Sequence, residues 1–219
     1  MNNKKRVSLC IPLTNTINSD FFLNFLNIIN ENITKYDIRL VFSKRFPLDA
    51  ARNELVEKAL LENPDYLWFI DSDMLIPPNT LDNLFAKDKD IISALYFQRK
   101  PPYRPVVCMK NKEGKYKLLD FVKLNALHEV DIVGFGCVLV KKEVFEKLKE
   151  RGYNTFFEFK NIHTDIVEQL NEDMTFCENA KKEGFKVFLD TSIVCKHIGE
   201  IIVDEKISYL LLEKRIQKE

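Results

Sequence analysis

Tyr66-Leu67-Trp68-Phe69-Ile70-Asp71-Ser72-Asp73 sets five apolar residues directly before an acidic triplet. An unbroken apolar run of this length, bounded by turn residues, reads as a strand covered on both faces in the middle of a parallel sheet. Ligands of open α/β sheets bind beyond the carboxyl ends of the strands, which is where Asp71 and Asp73 fall. Residues two apart in an extended segment point to one side, so the two carboxylates are expected to converge on a hard cation that also takes phosphate oxygens. Carboxylates set against an apolar strand need a counter-ion. An isolated D-x-D can also be a plain turn cap before Pro77. The surrounding sequence has to decide between these.

Working outward, residues 7–11 form a compact apolar strand stopped by Pro12, and residues 21–29 carry apolar side chains at helical spacing. A second strand over 38–42 leads to Pro47 and a helix over 48–61, in which Ala51, Leu55 and Ala59 line one face while Glu54, Glu57 and Lys58 face water. After Pro77-Pro78 come a short helix, a strand over 91–97 and a loop over 98–105 rich in Arg, Lys, Pro and Tyr. Such alternation predicts an open α/β sheet in the first hundred residues. The second half is less regular: strands over 106–109, 116–121, 130–133 and 137–140, helices over 142–151 and 171–183 (the latter stopped by Gly184), then strands over 186–189 and 192–195 that deliver His197. There is no internal repeat and no linker, so residues 1–219 read as one domain.

A chain of 219 residues can bury most of its apolar surface without disulfides. With 46% hydrophobic and 30% charged residues it is neither disordered nor fibrous. Thirty-three basic residues balance thirty-three acidic ones, so the global positive field of sequence-independent nucleic-acid binding is missing and no nucleic-acid partner is favoured. Cys10, Cys108, Cys137, Cys177 and Cys195 are odd in number and scattered, which predicts buried thiols in a reducing, cytoplasmic setting. The apolar run over 7–13 is short and interrupted by Ser8 and Pro12, a strand rather than a signal peptide. No stretch approaches the roughly 20 apolar residues of a membrane span. A final helix from about residue 204 sets Ile207, Leu210 and Leu211 near Lys214, Arg215 and Lys218; core packing is favoured there, with peripheral membrane docking left open.

Four separated segments resemble the GT-A superfamily of nucleotide-sugar glycosyltransferases, especially glycosyltransferase family 2: Leu9-Cys10-Ile11-Pro12, Ala51-Arg52-Asn53, Phe69-Ile70-Asp71-Ser72-Asp73, and Asn171-Glu172-Asp173 with Gly184 and His197. The resemblance implies a Rossmann-like open mixed sheet flanked by helices, with residues up to about 100 binding the nucleotide and residues from about 101 shaping the acceptor site. It implies Mn²⁺ or Mg²⁺ held by Asp73 and His197 with Asp71 as ligand or ribose contact, and a UDP- or GDP-sugar donor met by Pro12, Leu13, Thr14, Arg52, Asp71, Ser72 and Asp73. Asp173, next to Glu172, resembles the general base of inverting members, although acidic residues are common in the first turn of any helix. The helix dipole is expected to keep Asp173 ionised at neutral pH. Gly134-Phe135-Gly136 lines the acceptor side in this resemblance, its missing side chains allowing a sugar close approach; a strand-to-strand turn explains the same residues. The acceptor class is a saccharide, a lipid-linked sugar or another hydroxyl compound.

Two departures narrow the reading. Phe42 is followed by Ser43-Lys44-Arg45 where family 2 commonly places base-binding acids, and the Q-x-x-R-W motif of processive synthases is missing, which favours a single or limited transfer. Inversion is expected, with retention as the alternative. Asp71-Ser72-Asp73 also resembles the D-x-D of haloacid-dehalogenase-like phosphatases, whose first Asp is a nucleophile, but that motif usually lies on the first strand and is usually followed by Thr or Val rather than Met74. A third possibility is a nucleotide-sugar-binding protein that has lost turnover.

Overall fold

The computed structural model describes residues 4–159, 171–199, 204–206 and 208–209. Its elements in chain order are β1 (Arg6–Pro12), α1 (Ser19–Asn32), β2 (Asp37–Ser43), α2 (Leu48–Leu61), β3 (Tyr66–Ile70), β4 (Met74–Leu75), α3 (Thr80–Ala86), β5 (Ile91–Leu95), β6 (Val107–Lys110), β7 (Tyr116–Leu118), β8 (Leu127–Val130), β9 (Ile132–Val133), β10 (Cys137–Lys141), α4 (Lys142–Glu150), α5 (Asn171–Lys182), β11 (Val187–Val194) and β12 (Lys196–His197). Most of the helix bound expected from residue 204 onward, including Ile207, Leu210, Leu211, Lys214, Arg215 and Lys218, lies outside the described residues.

Seven strands form the main sheet in the order β2-β1-β3-β10-β5-β11-β8. β1 runs parallel to β2 and β3, and β11 runs parallel to β5, while β10 is antiparallel to both β3 and β5, and β8 is antiparallel to β11. The sheet is therefore mixed and open, as the sequence led us to expect. The carboxyl ends of β1, β2, β3, β5 and β11 share one edge, and the amino end of β10 joins them there.

β3 explains why its sequence is apolar throughout. Leu67 and Phe69 enter one core layer with Leu55 and Val56 of α2, Phe145 of α4 and Phe176 of α5, whereas Trp68 and Ile70 enter the other with Phe21 and Ile28 of α1 and Leu81 and Leu84 of α3. A strand whose alternate side chains meet two helical layers has no face left for a polar residue. α1 begins where it does because the Asn18 side chain accepts the N–H groups of Asp20 and Phe21 at 2.8 and 3.4 Å.

Several expected boundaries shift, the strands expected over 91–97 and 116–121 ending at Leu95 and Leu118, and two shifts change the strand count. The strand expected over 130–133 is two short strands on either side of Asp131, β8 in the main sheet and β9 in a small sheet ordered β7-β6-β9. The two strands expected over 186–189 and 192–195 are one, β11, with a register irregularity between Asp190 and Val194. All five cysteines are free and buried. Among the described residues no helix is long and apolar enough to cross a membrane.

Candidate functional site

β3 ends at Ile70 and the chain turns at once: Asp71 N–H donates to the Gly136 carbonyl at 3.1 Å and Met74 N–H donates to the Asp71 carbonyl at 3.1 Å. The turn spans Ser72 and Asp73 and leads into β4, which pairs antiparallel with β12 so that His197 lies opposite Met74. Asn24 of α1 fixes the exit of this ribbon, exchanging two hydrogen bonds with the backbone of Ile76 at 2.8 and 2.9 Å. Ile198 N–H donates to the Asp73 carbonyl at 2.7 Å. Residues more than a hundred positions apart are thereby held side by side, and His197 Nε2 lies 3.4 Å from Asp73 Oδ2.

The tautomer of His197 follows from its other nitrogen. Nδ1 is 2.7 Å from the carbonyl oxygen of Phe97, which can only accept, so Nδ1 carries a proton. In a neutral imidazole Nε2 is then an acceptor facing a carboxylate oxygen, an arrangement that calls for a proton or a metal cation between them. Burial raises the Asp73 carboxyl, but the hydrogen bond and charge of His197 and the charge of Arg99 outweigh it and bring the carboxyl below its ordinary value. Among the described residues no group of three or more His, Cys, Asp or Glu side chains is placed to hold a metal ion. A pair of protein ligands is what a cation shared with phosphate oxygens and water uses, so Asp73 and His197 fit that kind of site.

The chain turns between Asp71 and Asp73, and the two carboxylates take different partners. Asp71 meets Arg52 of α2 through both oxygens, Nη1 to Oδ1 at 3.1 Å and Nη2 to Oδ2 at 3.3 Å. The Arg52 Nε faces Asp173 Oδ1 at 3.3 Å and Glu172 Oε1 at 3.7 Å. Arg52 is 1% exposed, and its guanidinium lies over the rings of Phe135 and Phe157 at 5.5 and 6.0 Å. One guanidinium thus serves three carboxylates.

That count sets the electrostatics of the floor of the site. Burial raises the carboxyls of Asp71, Glu172 and Asp173, and the attraction of Arg52 lowers them without cancelling the effect. Asp173, at 3% exposure, is raised well above its ordinary value, first by burial, which opposes the ionised form that the helix dipole is expected to favour. Its Oδ2 accepts the Phe135 N–H at 3.1 Å, while its Oδ1 and the Arg52 Nε are buried without a hydrogen-bond partner.

Gly134, Phe135 and Gly136 sit at the amino end of β10 beneath Asp71. The space beside the two glycines is filled: a Cβ on Gly134 would lie 2.1 Å from the Tyr96 hydroxyl oxygen, and one on Gly136 would lie 2.8 Å from Tyr96 Cζ. Their missing side chains make room for Tyr96, whose oxygen accepts the Gly136 N–H at 3.2 Å and whose ring meets His197 edge-on at 5.5 Å. The Phe135 side chain is fully buried among Phe69, Phe157 and Phe176.

Pro12 ends β1 in the core, Leu13 N–H donates to the Ser43 carbonyl at 2.7 Å, and Thr14 is exposed with its hydroxyl donated to the Thr16 carbonyl. Leu13, Phe42, Lys44, Arg45, Glu54 and Lys58 line an open cleft of about 670 Å³ at the ends of β1 and β2. Glu54 there accepts a short hydrogen bond from Ser43 Oγ and pairs with Lys58 at 3.3 Å.

The sequence did not single out Tyr96, Glu54 or the role of Asn53. Asn53 follows Arg52 and holds the segment that covers it: its Oδ1 accepts the Phe156 and Phe157 N–H groups at 2.9 and 3.1 Å, and its Nδ2 donates to the Phe157 carbonyl at 2.7 Å. The available signal for Arg52 was its place three and four residues before Leu55 and Val56, on the edge of the buried helix face.

No family model matches the chain, nor does any curated protein match it in sequence. Solved structures do match its shape. A197 from STIV superposes with a TM-score of 0.60 at 15% identity, over 92% of this chain and 91% of that one. The crystal structure of GalNAc-T7 with UDP, GalNAc and Mn²⁺ superposes with a TM-score of 0.54 at 13% identity, over 97% of this chain and 48% of that one. The fold is GT-A-like. At these identities the likeness establishes the fold alone, and the present chain spans about half the length of the GalNAc-T7 chain.

Proposed function

We propose that the protein is a glycosyltransferase that moves a sugar from a UDP- or GDP-sugar to an acceptor hydroxyl, with Mn²⁺ or Mg²⁺ at Asp73 and His197. The observation that carries this reading is the side-by-side placement of Asp73 and His197 by the β4–β12 ribbon, at the sheet edge where α/β folds bind ligands. A GT-A-like fold and a neighbour whose crystal contains UDP, GalNAc and Mn²⁺ support it.

When bound there, a divalent cation stabilises negative charge on the departing diphosphate. Asp73 and His197 orient it, with the His197 ring fixed by its bond to the Phe97 carbonyl. Asp71 is tied to Arg52 through one lone pair on each oxygen and keeps the others to accept a ribose hydroxyl, while Ser72 shapes the turn between the two acids. Arg52, buried under three carboxylates, acts by holding Asp71 and Asp173 in place rather than by touching phosphate. The cleft beside Leu13 receives the nucleoside, with Pro12 and Thr14 at its margin. Asp173 takes the proton of the acceptor hydroxyl; a raised carboxyl is a stronger base than an ordinary one, and the outcome is inversion in a single, non-processive transfer. Glu172 supports it through Arg52. The first half of the chain then serves the donor and the second half the acceptor, with Gly134 to Gly136 acting beneath the site by making room for Tyr96.

One observation favours a second reading of the stereochemistry. Asp173 is almost fully buried and paired with Arg52, as expected of a supporting acid, and transfer with retention would follow if it never meets the acceptor. The phosphatase reading is less well served: Asp71 presents both oxygens to the Arg52 fork, which hinders attack on phosphorus.

The test is transfer or donor hydrolysis from a panel of UDP- and GDP-sugars with Mn²⁺, with the anomeric configuration of the released sugar followed by NMR. Inversion that is lost in Asp173→Asn while nucleotide binding persists supports the base. Retention moves Asp173 to the supporting role, and binding without any turnover leaves a binding protein.

A further inference from the structure

Arg99 stands on the basic loop after β5 and donates from Nη1 to Asp73 Oδ2 at 2.8 Å. This is the same oxygen that faces His197 Nε2. The base of the loop is fixed: Gln98 N–H donates to the Arg104 carbonyl at 2.9 Å, Val106 N–H to the Tyr96 carbonyl at 3.1 Å, and Ser208 Oγ to the Tyr103 carbonyl at 2.8 Å. Arg104 is itself engaged, its Nε 2.7 Å from Asp120. The Arg99 side chain, by contrast, is 56% exposed, so it can change partners while the backbone beneath it stays in place.

A guanidinium and a divalent cation on one carboxylate oxygen compete, since the two positive charges would stand within a few ångströms of each other. An exposed ion pair is weak and exchanges readily. A planar guanidinium displaced from a carboxylate suits phosphate oxygens equally well. We propose that Arg99 is an exchangeable counter-ion, paired with Asp73 in the absence of a divalent cation and with the diphosphate of the nucleotide once cation and donor are bound.

This inference rests on the assignment of Asp73 and His197 to the cation. It has a signature that a structural role lacks, because loss of Arg99 must act on two equilibria in opposite directions. The cation loses a competitor and binds more tightly, while the diphosphate loses a partner and binds more weakly.

The experiment measures Mn²⁺ alone by electron paramagnetic resonance, then UDP and GDP by calorimetry at saturating Mn²⁺, for the wild type, Arg99→Gln and Asp73→Asn. In Arg99→Gln, Mn²⁺ should bind roughly three- to fivefold more tightly, as the loss of an exposed ion pair implies. The nucleoside diphosphate that the wild type binds should bind about tenfold more weakly, the scale of a lost charge-assisted contact. If Asp73→Asn abolishes Mn²⁺ binding but Arg99→Gln leaves both affinities unchanged, or weakens both, the exchange is wrong and the cation site stands. If the wild type binds no Mn²⁺, with or without nucleotide, the cation site and the exchange fall together.

Discussion

Arg52 and Asp71 face each other through two parallel contacts at 3.1 and 3.3 Å, linking helix α2 to the end of strand β3 beneath the candidate site. Because the same guanidinium also meets Glu172 and Asp173, its loss strands three carboxylates at once. Arg52→Met should lower stability by about 3–5 kcal/mol, the usual consequence of removing one member of a buried ion pair. Arg52→Lys should recover part of it, since a point charge cannot reproduce the fork. Urea denaturation measures both; a loss under about 1 kcal/mol for Arg52→Met contradicts a shared counter-ion.

The pH dependence of the floor has a definite sign. Asp71, Glu172 and Asp173 are all raised in the folded state, so from the ordinary carboxylate range upward the folded protein binds more protons than the unfolded one, and their contribution to stability falls as pH rises. Asn is a neutral stand-in for protonated Asp. The stability of Asp173→Asn relative to wild type should therefore increase with pH when melts are run in a chelator. A difference that stays flat from the ordinary carboxylate range upward contradicts the assignment.

Gly134 and Tyr96 are coupled by space alone. A methyl group at residue 134 collides with the Tyr96 hydroxyl and, at 2.6 Å, with Val106 Cγ1, so Gly134→Ala should destabilise by about 1–3 kcal/mol or more. In the double variant with Tyr96→Phe the hydroxyl is gone and the collision eases, so the two changes should combine to less than their sum. Additivity in thermal or urea unfolding would show that the glycine is required for some other reason.

Asn53 ties helix α2 to the backbone of Phe156 and Phe157. Asn53→Ala should cost about 1–3 kcal/mol through the backbone groups left unpaired. The N–H groups of Phe156 and Phe157 should lose hydrogen-exchange protection before those of β3 do. Unchanged protection at both residues overturns this role.

The fold was legible where one residue type repeats with a clear period. The run from Tyr66 to Ile70 announced a strand covered on both sides, and Ala51, Leu55 and Ala59 announced the face that α2 buries. Strand partners were not legible: β10 inserts antiparallel between β3 and β5, a choice made by side-chain packing across some seventy residues that no local period records. In the candidate site, the residues Asp71, Asp73, Glu172, Asp173 and His197 were all visible as types at strand and helix ends. The resemblance paired Asp73 with His197, whereas the gathering of Asp71, Glu172 and Asp173 around Arg52 was not visible. A turn over Ser72 and Asp73 gives the two aspartates different partners, and Arg52, expected at the donor, is buried where three carboxylates and two aromatic rings receive it. Tyr96 was invisible because the two glycines that accommodate it lie on another strand end.

The most direct measurement is calorimetric titration of the wild type with UDP and with GDP, each with and without Mn²⁺, repeated on Asp73→Asn and His197→Ala. Binding of at least one nucleotide that requires Mn²⁺, is abolished in Asp73→Asn and is weakened in His197→Ala is the expected result. Equal binding with and without Mn²⁺, or no binding of either nucleotide under any condition, contradicts a cation-dependent nucleotide-sugar site at Asp73 and His197.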